Sequence, residues 1–250
     1  MDYIKQTPVR TFALLVFLTA LSCLFPASAF SRVVADDTVG LKGQKLTLRA
    51  ETRGRLFRRG GELVEFLVDG KSIGKTLSGG DGVAFKSYTP ETAGLYKIRV
   101  SSGDDEDNGL LLSLEKGSAI VFVDALGGLL QSLFSREPRL GSQEAIEKIH
   151  KRFPIVYLQT GFVSIKAIKA WLQENKFEEF PVLAWEKGAI FDAIAKKDLR
   201  IKAVIAAPKV IESAREYNPL AFSFQAAGDA EKVKGWDQIS RKLNQPGGVR

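Results

Sequence analysis

The hydrophobic period changes once along this chain, and the change predicts an all-β sandwich followed by a three-layer α/β domain on a five-stranded parallel sheet. Before about Lys116 the apolar residues come in short alternating runs, as strands with one buried face require. Turn signals such as Asp69-Gly70 and Gly79-Gly80-Asp81-Gly82 separate those runs. After Gly117, unbroken apolar runs such as Ala119 to Val123 alternate with amphipathic stretches. That is the pattern of parallel strands covered on both faces by helices. The expected divisions are an export signal at 1–29, a sandwich at 36–116, the α/β domain at 117–244 and a disordered tail at 245–250.

In the first half, Gln44 to Thr52 places Leu46, Leu48 and Ala50 on one face. Leu63 to Val68 runs into the Asp69-Gly70 turn, Ser72 to Leu77 returns from it, and Val83, Phe85 and Ser87 mark a further strand. Gly94 to Val100 alternates Leu95 against Tyr96, Ile98 and Val100, and the acidic stretch Ser101 to Gly109 reads as a hairpin tip or exposed loop. In the second half, strands are expected at Ala119–Val123, Pro154–Leu158, Pro181–Trp185, Ile201–Ala206 and Ala221–Phe224. The intervening helices are Ser142–Phe153, Val163–Asn175, Gly188–Lys197, Pro208–Tyr217 and Glu231–Leu243, with Pro208 suited to a first turn. A junction near Glu115–Ser118 joins two separately folding units.

The run Glu62-Leu63-Val64-Glu65-Phe66-Leu67-Val68-Asp69-Gly70-Lys71-Ser72-Ile73-Gly74, then Asp81-Gly82-Val83-Ala84 and Gly94-Leu95-Tyr96, resembles the bacterial immunoglobulin-like repeat of surface and exported proteins. The resemblance implies a spacer or binding platform, with Tyr96 placed for a tyrosine corner. Independently of it, Arg53, Arg55, Arg58 and Arg59 fall on one turn closed by Gly60-Gly61. Four guanidiniums on a loop can form an anion site, and the plainer reading is a solubilising loop.

In an open parallel sheet, ligands sit at the carboxyl ends of the strands, where strand order switches. There Asp124 ends the first apolar strand, just ahead of Gly127-Gly128. This strand, its aspartate and the later stretch from Ala203-Val204-Ile205-Ala206-Ala207 to Ala221-Phe222-Ser223-Phe224 resemble the haloacid-dehalogenase-like superfamily in its capless, lipin-like branch. The resemblance implies a nucleophile at Asp124, phosphate contacts at Gln159 or Thr160 and an acid at Glu212, while its lysine position falls near Asp192, leaving Lys187 as the nearby lysine that could reach in. It also places Leu126 where a general acid belongs and Pro208 where a magnesium-binding aspartate belongs. Leucine cannot protonate a leaving group. Magnesium usually needs more hard ligands than Asp124 and Glu212. The expected function is therefore a catalytically degenerate domain that binds a ligand or protein, with Asp124 capping a strand end. The alternative is an active magnesium-dependent phosphatase on phospholipid-like substrates, with Asp124 as nucleophile.

The ends and composition set the context. Lys5 and Arg10 precede an uncharged run from Thr11 to Phe25, and Ala27-Ser28-Ala29 offers small residues for cleavage. The mature chain is then expected to begin near Phe30, in a periplasm or outside the cell, and not to be an integral membrane protein. Cys23 is the single cysteine, so the mature chain has no disulfide, and the single histidine, His150, argues against a multi-histidine metal site. No cofactor is expected, with magnesium entering only if the domain is active. The formal charge of +7 favours anionic partners without specifying them. An unknown anionic ligand or an envelope protein is the expected partner. No nucleic-acid-binding pattern is evident.

Overall fold

The computed structural model describes residues 33–54, 57–131, 136–226, 228 and 230–245. The expected export signal, Arg55 and residues 246–250 of the expected tail lie outside the described residues. Among the described residues no helix is long and apolar enough to cross a membrane.

The first half is a two-sheet β-sandwich. Its strands are β1 (Val33–Ala35), β2 (Thr38–Leu41), β3 (Leu46–Thr52), β4 (Leu63–Val68), β5 (Lys71–Leu77), β6 (Val83–Tyr88), β7 (Gly94–Ser102) and β8 (Asp105–Leu114). One sheet has the order β1-β3-β6 and the other β2-β8-β7-β4-β5, which is the immunoglobulin-like arrangement with its first strand split between the sheets. Leu48, Ala50, Val64, Phe66, Ile98, Val100 and Leu111 fill the space between the sheets. The β4–β5 hairpin turns at Asp69 and Gly70, both at positive φ, as a two-residue turn matching strand twist requires. The Tyr96 hydroxyl donates to the Thr92 carbonyl at 3.0 Å, closing a tyrosine corner.

Of the two forms expected for the acidic stretch Ser101–Gly109, the structure shows the hairpin tip, with more of it in strand than in loop: Ser101 pairs with Glu106 and Ser102 with Asp105 across a turn at Gly103. Backbone ladders tolerate acidic side chains that point outward, and Asp107 turns inward to accept from the Ala35 amide at 3.0 Å.

The second half is a parallel sheet in the order β11-β10-β9-β12-β13-β14. Its strands are β9 (Ala119–Asp124), β10 (Ile155–Gln159), β11 (Val182–Ala184), β12 (Arg200–Ile205), β13 (Leu220–Ser223) and β14 (Glu231–Lys232). Six strands replace the expected five, because the segment expected to open the last helix instead adds an edge strand. The Val233 amide extends that ladder to Ser223 O at 2.9 Å, and extended Gly235 resets the chain before the helix begins at Trp236. The helices are α1 (Ser142–His150), α2 (Ile165–Glu174), α3 (Ala189–Ala195), α4 (Pro208–Ser213) and α5 (Trp236–Asn244). Ser164 caps α2, its hydroxyl accepting from the Ala167 amide at 3.2 Å.

The period of β9 explains the layers. Val121 and Val123 face α1, α2 and α5, where Ile146, Ile149, Ile168, Trp236 and Ile239 meet them. Ile120 and Phe122 face the other way, toward Phe191 and Ile194 of α3 and Val210 and Ile211 of α4. This second side is also covered by the sandwich. Val39 pairs with Leu112 and Leu41 with Leu114 along β2 and β8, and all four side chains join the α3–α4 core. Burying a side chain of this size is worth about 1.5–3 kcal/mol.

The two halves therefore pack against each other and are not joined at the short junction near Glu115–Ser118 alone. Asp37 marks the seam. It accepts from the Lys169 ammonium of α2 at 2.6 Å, the Val182 amide of β11 at 2.7 Å and the Leu110 amide of β8 at 2.8 Å. Lys197, just after α3, donates to the Val39 carbonyl at 2.7 Å. Even the junction is fastened, with the Gly117 amide bound to Asp198 O at 2.8 Å.

Candidate functional site

The sheet reverses strand order between β9 and β12, and Asp124 stands at that point. After it the chain makes one π turn, Ala125–Leu129, for which Asp124 is the N-cap. The Asp124 Oδ1 accepts from the Leu126 amide at 3.1 Å and from the Thr160 hydroxyl at 2.6 Å. Its Oδ2 accepts from the Ala207 amide at 3.3 Å. One carboxylate thus ties the ends of β9, β10 and β12, and only 1% of the residue is exposed.

Gly127 lets this happen. A methyl group there would meet Asp124 Oδ2 and sit 2.7 Å from the Ala207 nitrogen, so the turn lies flush against the start of α4. The crevice that a parallel sheet ordinarily opens at its switch point is filled by the protein's own backbone. Trp236 fixes the turn from the other side, its indole nitrogen donating to Gly128 O at 3.2 Å.

The remaining residues singled out in the sequence separate into two groups. Thr160 joins Asp124 directly. Gln159 organises the neighbouring loop, its amide donating to the carbonyls of Gly161 at 3.0 Å and Val163 at 2.9 Å. Lys187 and Glu212 do not reach Asp124. Lys187 is exposed on a left-handed turn after β11, where its φ is 57°. Glu212 is exposed and faces Arg215 at 3.7 Å across solvent. Pro208 opens α4 as its first residue. Its ring fits that turn, and its side chain brings no metal ligand there. No group of three or more histidine, cysteine, aspartate or glutamate residues suited to a metal occurs among the described residues.

On the loop between β3 and β4, the described arginines Arg53, Arg58 and Arg59 each meet one of the chain's own acids. Glu51 meets Arg58 at 2.7 Å, Arg49 at 2.7 Å and Arg53 at 3.3 Å. Arg59 pairs with Glu62 at 2.6 Å. Burial pushes the Glu51 carboxyl upward, and its arginine partners outweigh that and hold it below the ordinary glutamate range. Arg53 and Arg58 form an isolated antiparallel backbone bridge that closes the loop on itself.

Sequence reasoning missed a groove between α1 and α5, a cavity of about 690 Å³ lined by Arg139, Leu140, Lys148, Phe224, Lys234 and Trp236 among others. No motif announces it, because its residues are scattered from Gln131 to Asn244. The single usable signal is Leu140, an apolar residue directly before the Gly141 helix start and 97% exposed.

By fold and site the chain is an immunoglobulin-like sandwich fused to a parallel α/β domain with a closed switch point. No family model matches it, and no curated protein matches it. Among solved structures, the D0–D1 fragment of intimin is 17% identical over 32% of this chain and 44% of its own length, at a TM-score of 0.27. The fibronectin(III)-like modules of Clostridium thermocellum CbhA are 20% identical over 33% of this chain and 97% of theirs, at 0.24. An FMN-binding β-glucuronidase is 13% identical over 30% of this chain and 10% of its own length, at 0.24. The chain thus spans a tenth of that enzyme and under half of the intimin fragment. At such scores these similarities say nothing about activity or partners.

Proposed function

We propose that this chain is an exported, non-catalytic binding protein in which an immunoglobulin-like module and a degenerate haloacid-dehalogenase-like domain act as one rigid platform. What supports the second part of this reading is a parallel sheet with an aspartate ending β9 and a threonine following β10. The observation carrying the loss of catalysis is the state of Asp124. A nucleophile needs a free oxygen facing a substrate, and both Asp124 oxygens are engaged in a residue 1% exposed. Phosphoryl transfer also depends on metal and cationic groups that neutralise charge. Lys187 and Glu212 are exposed and are not among the partners of the buried Asp124, and the resemblance puts Leu126 at the acid position.

Crystals soaked with magnesium and a phosphate mimic test this reading. We expect neither ion beside Asp124. A magnesium ion coordinated by Asp124 would contradict it. Export is tested separately by N-terminal sequencing of released protein, which should begin at or near Phe30. An intact Met1 or a lipid-modified Cys23 would refute the cleavage.

A further inference from the structure

The groove between α1 and α5 has the chemistry of an anion site that the switch point lacks. Arg139 is half-buried, and its guanidinium carbon lies 4.1 Å above the Phe224 ring. Its Nε is buried without a hydrogen-bond partner. Burial alone pushes this guanidinium below its usual range, with no acidic neighbour opposing the shift. This sets Arg139 apart from Arg53, Arg58 and Arg59 of the β3–β4 loop, which are ion-paired with Glu51 or Glu62.

The walls are mixed in a useful way. Lys148 and Lys234 add two exposed ammonium groups, while Asp237 is committed to Arg241 at 2.8 Å, leaving Glu144 as the remaining acid of the lining. Phe224 and the exposed Leu140 supply apolar surface beside the guanidinium. A planar guanidinium held by an aromatic ring recognises oxyanions in a fixed orientation. A volume of about 690 Å³ suits a small organic molecule.

We propose that this groove binds a phosphate monoester carried on an apolar body, the oxyanion meeting Arg139 and Lys234 and the body lying on Phe224 and Leu140. The proposal names a ligand class for the binding-protein reading, and it rests on that reading for its biological purpose alone. The site is separate from Asp124, so a phosphatase assay judges that reading and a titration judges this one.

The test is calorimetric titration of the mature protein with inorganic phosphate, with monomeric hexyl phosphate, and with phosphatidylcholine vesicles with and without phosphatidic acid. Hexyl phosphate should bind at least ~10-fold more tightly than inorganic phosphate, because the alkyl chain leaves water. Its affinity should weaken as salt rises and fall ~10-fold or more in Arg139→Gln. Lys234→Gln, at an exposed position where folding is safe, should weaken it several-fold, and Lys71→Gln on the distant hairpin should not. Binding of hexyl phosphate that carries over to phosphatidic-acid vesicles would identify a lipid source, and binding confined to the monomer a soluble one. Absence of hexyl phosphate binding, binding indifferent to Lys234→Gln, or binding to vesicles alone would overturn the proposal.

Discussion

Asp124 gathers three donors from three strand ends, so its removal and the removal of one donor should differ in cost. Asp124→Ala leaves the Leu126 and Ala207 amides and the Thr160 hydroxyl without their acceptor, and we expect a loss of about 3 kcal/mol. Thr160→Val removes one donor and should cost about 1 kcal/mol. Urea denaturation measures both, and equal losses would show that Asp124 is not the organising group. Glu51 gives a pH prediction. Its carboxyl is held below the ordinary 4.5, so the stability it confers is present above that value and is lost as pH falls through its lower folded value. Glu51→Gln should therefore flatten the acid limb of the stability profile below about pH 4.5, and an unchanged limb would mean that the arginine cluster contributes nothing in solution.

At the scale of elements, the β9 turn depends on close approach. Gly127→Ala should destabilise by about 1–3 kcal/mol, since its methyl has no room beside Asp124 and Ala207. Gly80→Ala, with open space around it, should be nearly silent in the same thermal melt. This is also the scale at which the sequence was most readable. The Asp69-Gly70 hairpin, the Tyr96 corner and the apolar runs of β9, β10 and β12 were legible because each is set by neighbours in the chain. Strand β14 was not, because two residues carry no period and their pairing with β13 is decided by Val233 reaching the core. The fates of Lys187 and Glu212 were equally hidden, since spacing gives an element and not the direction of a side chain. The arginines were visible as a cluster, but their carboxylate partner Glu51 lies on the neighbouring strand and its role emerges only in three dimensions.

For the whole molecule, the seam between sandwich and α/β domain governs behaviour. The run Leu110-Leu111-Leu112-Ser113-Leu114 carried the clue, because a sandwich strand that is apolar on both faces must have its outer face covered. The protein should unfold in one cooperative transition, and limited proteolysis should spare 115–118; an early cut there would mean that the halves separate. Burial raises the Asp37 carboxyl, opposed by Lys169 and the amides of Val182 and Leu110. A raised carboxyl favours folding most at pH below its unfolded value, and that contribution declines as pH rises through the folded value. Lys169→Met, which strands the buried charge, should cost about 3 kcal/mol at neutral pH. It should recover part of that loss in acid as Asp37 takes up a proton, and a penalty independent of pH would refute the charge argument.

The proposed loss of catalysis rests on the buried, fully engaged Asp124, and hydrolysis of phosphate esters by the purified mature protein with magnesium tests it most directly. The predicted result is no release of phosphate above the enzyme-free rate from small esters or phosphatidate, with Asp124→Asn indistinguishable from the parent. Magnesium-dependent hydrolysis that Asp124→Asn abolishes would contradict it and establish Asp124 as a working nucleophile.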